Sequence, residues 1–412
     1  WLKSKVKVGF CKAPTAMATL RQRSRSTLVR NFGLAVVLGL CYWTLEPAYA
    51  VAPQAKRRDS GLKDSGMATM LIAAGLVLLL NLTFVNFPDA DIQSYCKQIQ
   101  SSVVSLFLAV MIFHACGSVL QTWSDAKLSG SIVQLLFWFV LLQIKQGGLQ
   151  REKAWSRITT HLVGFASVNL WCTLQEWEHS KSLFHGSITS KCLVLVPIAW
   201  ITHTSLSFIS GQARRASMTS RTSRADQIWN ELVEDGESES AAFAMSYLII
   251  RSLRFAACGE LPDELGLITL CESDLEASML YLSGAAFIVL ALLAKGFLPS
   301  NVWVSICFCV AWCVNFASTA TWAKIISITD PLAMATVTAP MVSVACIIAI
   351  FILDKAADSK ALHDNSVQAL VFMLGLCAGT AWIQCFQIAA SEFLSPVTSV
   401  KSVGLLAFIC TV

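Results

Sequence analysis

Apolar runs long enough to cross a bilayer follow one another along this chain, separated by short polar connections. They are about 17–23 residues long, which at 1.5 Å per residue covers a hydrocarbon core of about 30 Å. The runs lie at 67–86, 101–122, 129–147, 157–175 and 188–210, then at 276–296, 302–323, 332–353, 366–388 and 397–412. In lipid every backbone N–H and C=O needs a partner from within the protein, and continuous apolar runs meet that demand as helices. The chain is 55% hydrophobic and 14% charged, whereas a soluble domain carries about 25% charge. The reading is an all-α, polytopic helical membrane protein with about 10–12 transmembrane helices.

Two sets of runs resemble each other, which predicts two tandem similar halves. Ala68-Thr69-Met70-Leu71 with Gly75 matches Ala277-Ser278-Met279-Leu280 with Gly284. Val104-Ser105, Val110, Ser118 and Trp123 match Val304-Ser305, Val310, Ser318 and Trp322, with one gap. Internal repeats of this kind often build a carrier around a midplane site. The organisation read from this is a basic N-terminus (1–50), a first half (51–210), a central charged linker (211–275) and a second half (276–412). The final run, 397–412, stops short of a full span, so the second half reads as truncated.

The N-terminal stretch has eight Lys or Arg and no Asp or Glu before Glu46. Read from Met17, a basic region, an apolar core (FGLAVVLGLCYWTL) and Ala48-Tyr49-Ala50 have the layout of a secretory signal peptide or signal anchor. That implies the secretory pathway or plasma membrane. The Arg/Ser-rich, acid-free front also fits an organelle transit peptide, plastid or mitochondrial.

The linker opens on a basic, Ser-rich patch, in which Arg214-Arg215-Ala216-Ser217 has the form that basophilic kinases read. Ile228, Trp229, Leu232 and Val233 form one apolar side of a short helix, expected to lie on the membrane. The next apolar piece, 241–258, carries Arg251 and Arg254 and leaves its own spanning undecided. If 241–258 and 32–45 both span, the halves run parallel; if neither does, they are inverted. A disulfide between Cys258 and Cys271 would fit an oxidising side. The fifteen cysteines include no C-x-x-C, and no metal site is read.

Ionisable and amide groups inside apolar runs mark candidate pathways, because they are costly in lipid and turn toward a bundle interior. These are His114, His161, Asn169 and His203 in the first half, and Asn315 and Gln384 in the second. Asn315 falls near the repeat position of His114. Glu176, Glu178, His179 and His185 read as a solvated loop face. No run carries a central Asp or Glu, and no nucleophile, P-loop or zinc motif is present. The net charge of +5 belongs to loops, so the partners expected are the lipid bilayer, a small-molecule or ion substrate and a kinase at the linker, not nucleic acid.

The leading reading is therefore a permease-like carrier without a cofactor. The alternative is a non-catalytic scaffold or sensor that uses 211–240 for interaction or regulation. A haem or lipid-modifying enzyme comes last. A carrier would bring His114, His161 or Asn169 to Asn315 or Gln384 in one polar cavity.

Overall fold

The computed structural model describes residues 104–114, 116–117, 127–145, 149–181, 188–217, 224–263, 266–267, 273–326, 330–359 and 364–394, with isolated positions before them. The expected leader (1–50) and last run (397–412) lie outside these residues, as do Cys271 and Arg221. The described elements are helices in chain order: α1 (Val104–His114), α2 (Lys127–Leu142), α3 (Leu149–Lys181), α4 (Ile188–Ser217), α5 (Arg224–Cys258), α6 (Ser273–Ala294), α7 (Ser300–Ile326), α8 (Pro331–Asp358) and α9 (Asp364–Leu394). No strand occurs among the described residues.

Six of these, α4 to α9, are long and apolar enough to cross a membrane. The protein is thus an all-α, multi-pass membrane protein. In α5, α7 and α9 the most apolar stretch is 67%, 61% and 72% buried, against 17% in α4 and α6. The exposed faces of those two outer helices are apolar all the same: Ile201, Phe208 and Ile209 on α4, Leu282 and Leu293 on α6. Such a surface suits lipid and not water. The run expected at 157–175 lies inside α3 but is not among the six, because Thr159, Thr160, Ser167, Asn169, Thr173 and Gln175 dilute it. Most of those polar groups are buried within the bundle.

The largest departure from the sequence reading is α5. The short interfacial helix and the arginine-bearing segment are one helix of 35 residues. No proline interrupts 224–258 and Gly236 is its one glycine, so local propensity favours continuation. It stops at Gly259, whose φ of 71° reverses the chain while its N–H bonds to Phe255 O at 2.9 Å, an αL ending that glycine adopts without strain. Much of the stretch read as a linker is therefore interior. α5 packs on α3 and α4 from one set and on α7 and α6 from the other.

The remaining contacts fix the helix directions. Arg254 near the end of α5 meets Glu276 at the start of α6, and Lys324 at the end of α7 meets Asp274. Arg251 meets Glu176 in the last turns of α3, so α3 and α5 run the same way. At the start of α8, Asp330 accepts a hydrogen bond from Ala333 N at 2.7 Å, with proline at the first helical position. This Asp-Pro pair is a helix N-cap. Pro197 and Pro340 lie within continuous helices, α4 and α8.

Candidate functional site

Amide side chains form two buried polar nodes, one in each set of helices. Asn169 Nδ2 of α3 donates to Gln134 Oε1 of α2 at 3.2 Å. Asn315 Nδ2 of α7 donates to Gln384 Oε1 of α9 at 2.9 Å. Neutral amides suit such places, because an interhelical hydrogen bond adds about 0.6–2 kcal/mol without burying a charge. Gln134 Nε2 at the first node and Asn315 Oδ1 at the second lack a partner among the described residues, as does His114 Nε2 on α1.

The expected meeting of Asn169 with Asn315 or Gln384 is not what the amides do; each pairs within its own set. Aromatic rings occupy the seam between the sets. Phe243 of α5 lies 5.7 Å from Phe165, 5.4 Å from Phe308 and 5.4 Å from Trp312. Tyr247 continues the column, 5.0 Å from Trp312. Large aromatic surfaces, mostly packed edge to face, fill this seam.

The three histidines have separate settings. His203 on α4 is buried and receives Trp171 Nε1 at 3.4 Å, so one ring nitrogen is already engaged. His161 on α3 is half-buried and feels the charge of Arg157 one turn earlier. His114 lies beside Phe113, which packs on Phe165. Among the described residues no cluster of three or more His, Cys, Asp or Glu is placed to hold a metal ion.

Charged networks close both ends of α5, and the sequence reading missed most of their members. At the first end Arg214 of α4 meets Glu237 of α5, with Nη1 to Oε1 at 2.7 Å and Nη2 to Oε2 at 3.3 Å. Only 5% of the Arg214 side chain and 3% of Glu237 are exposed. Ser210 Oγ (2.6 Å) and Gln143 Nε2 (2.9 Å) also donate to Glu237. Asn230 Oδ1 accepts from Arg214 Nε at 2.9 Å, and Gln143 Oε1 accepts from Nη1. Arg214 is thus part of the interior and not of a free basic patch, whereas Arg215 is exposed. A kinase reading Arg214 beside Ser217 would first have to break this network. Nearby, an ion pair joins Lys145 to Asp226, and that hydrogen bond holds the ammonium above its ordinary range.

At the far end both arginines belong to α5. Arg251 donates to Pro262 O (2.8 Å), Cys172 O (3.1 Å), Gln175 Oε1 (3.1 Å) and Glu176 Oε1 (2.9 Å). Glu176 therefore belongs to a clamp and not to a solvated loop face. Arg254 donates to Glu276 Oε1 (2.6 Å) and Gly266 O (2.7 Å), and its guanidinium stands 4.1 Å above the Phe316 ring. Gly266 has φ 78°, and a Cβ there would come within 2.6 Å of that ring. The planar five-donor fork of arginine suits this many-acceptor role. Cys258, one turn on, is disulfide-bonded, with its partner outside the described residues.

One signal could have located these groups: an apolar run that holds arginines and small residues with no helix breaker is a continuous interior helix whose charges need partners. Comparison with protein-family models, curated proteins and solved structures finds no match to this chain.

Proposed function

We propose that this multi-pass membrane protein is a permease-like carrier, with its solute pathway along two separate polar nodes beside α5 and not through one shared cavity. The observation that supports it is the pair of buried amide nodes, Gln134–Asn169 and Asn315–Gln384, one in each set of helices. With α5 crossing the membrane, α1 and α7 run in the same direction, as do α2 and α8, and α3 and α9. That is the parallel form of the internal repeat, in which His114 and Asn315 take related positions.

Sidedness follows from charge. Lys145, Arg151, Lys153, Arg214, Arg215 and Arg224 gather at the Glu237 end of α5, and an excess of basic residues marks the cytoplasmic side. At the opposite end Lys127, Arg251, Arg254 and Lys324 are each paired with a carboxylate. The disulfide at Cys258 suits that end as the oxidising side, with Cys271 as the proposed partner.

The scaffold reading needs 211–240 free for a partner. Burial of Arg214, Val233, Gly236 and Glu237 counts against it.

The test needs no known substrate. Asn169→Cys and Gln384→Cys, each in a background without other reactive thiols, are labelled with impermeant thiol reagents from either side of sealed vesicles. A carrier exposes these positions to both sides in turn. Protection from both sides, with the protein folded, sinks the carrier reading.

A further inference from the structure

The first node holds more unused hydrogen-bonding capacity than amide pairing needs. Gln134 and Trp138 stand one turn apart on α2, hence on one face of the helix. They are 4% and 3% exposed, yet Gln134 Nε2 and Trp138 Nε1 lack partners among the described residues. The indole N–H is a donor whatever the orientation of the neighbouring amide. His114 Nε2 on α1 is likewise unpartnered. Gly117 lies one turn past His114, where an added Cβ would stand 3.4 Å from Gln134 Nε2. A methyl at that place would rest in ordinary contact with the same amide, and a longer side chain would reach past it into the node.

An unsatisfied buried donor costs about 1–3 kcal/mol. Two on one helix face, with Gly117 across from the amide, describe a place for an oxygen with two lone pairs. Charge decides the class of ligand. α1 carries no ionisable side chain besides His114, and Lys127 is about 10 Å from Gln134 along α2. The α2–α3 amide pair is neutral. An ion in this place would lose its hydration without gaining a counter-charge.

We infer that the α1–α2–α3 node is a binding site for a small uncharged solute bearing a carbonyl or hydroxyl oxygen, held by Gln134 Nε2 and Trp138 Nε1. As a description of cargo this rests on the carrier reading; as a binding site it does not.

The test follows the Trp138 indole N–H resonance of the full chain in nanodiscs, assigned by its loss in Trp138→Phe. Acetamide and glycerol are the probes; acetate and methylammonium are the charged controls. The expected result is a saturable shift with acetamide and glycerol, weakened at least tenfold in Gly117→Leu and in Gln134→Leu. Gln134→Leu keeps the helix apolar, so it stays interpretable if Gly117→Leu does not fold. A stronger response to acetate or methylammonium overturns the neutral class. No response to any solute overturns the site, leaving buried water or plain packing there. Flux of the same probes into proteoliposomes separates the two ideas: saturable binding without flux supports the site and counts against the carrier, whereas flux without a Trp138 response does the reverse.

Discussion

The two ends of α5 bury charge by opposite arrangements. At the Glu237 end the carboxylate is on α5 and the arginine comes from α4, so the pair ties helix to helix. At the Arg251–Arg254 end the arginines are on α5, and besides carboxylates they hold main-chain carbonyls, Pro262 O and Gly266 O among them in the connection after it. The first is an ion pair with polar neighbours. The second supplies side-chain donors to backbone carbonyls. A hydrophobic pair can replace the first, but it cannot satisfy the carbonyls of the second.

The largest effect should come from Arg254→Met. It leaves Glu276 buried and charged, and removes the donor from Gly266 O. Breaking a buried pair from one side costs about 3–5 kcal/mol. Equilibrium unfolding in micelles measures it, and a loss under about 1 kcal/mol would show that water already reaches Glu276. Adding Glu276→Leu should recover only part of the loss, because the Gly266 carbonyl stays unpaired.

Next comes Arg214→Met, at about 3 kcal/mol by the same argument. Here the double variant Arg214→Met/Glu237→Leu should regain most of the loss, since removing both charges also removes the need for them. Equal recovery at the two ends would erase the distinction drawn between them.

Legibility in the sequence divides along the same line. Helical class and membrane spanning were readable because apolar runs of spanning length admit few other structures. α7, α8 and α9 lie close to the expected 302–323, 332–353 and 366–388. The amide candidates Asn169, Asn315 and Gln384 were also readable, since polar groups in apolar runs turn inward. Their partners were not: which amide meets which depends on helix rotation and neighbour choice, and only packing sets those. Glu237, Glu176 and Glu276 were missed for a further reason. Glu237 and Glu176 lie where local hydropathy marks loop and Glu276 at the first position of a run, and each is held by a tertiary partner of opposite charge. Gly236 and the run of small residues around Ser238 and Ser240 looked like linker composition, yet small residues are also what lets helices approach closely.

Gly236 supplies the third prediction. A Cβ there would lie 2.3 Å from Thr160 Oγ1 on α3, and threonine is stiff at its first torsion. Gly236→Ala should cost about 1–3 kcal/mol through overpacking. Thr160→Ala in the same chain should remove most of that loss in the same unfolding measurement. A Gly236→Ala protein as stable as the parent would mean that α3 and α5 are free to separate, which would loosen the Glu237 end as well.

The smallest effect is expected where the geometry alone looks strong. Lys324 Nζ reaches both oxygens of Asp274 at 2.6 Å, as short as the Arg254–Glu276 contact at the same end of the bundle. The side chains are 59% and 70% exposed, so water solvates both partners whether or not they meet. Lys324→Ala should therefore change stability by no more than about 1 kcal/mol, and the change should shrink further in high salt. The pair is an internal control for Arg254: equal distance, opposite burial. If Lys324→Ala and Arg254→Met were equally destabilising, contact distance would set the energy and burial would not, and the contrast between the two ends of α5 would lose its physical basis.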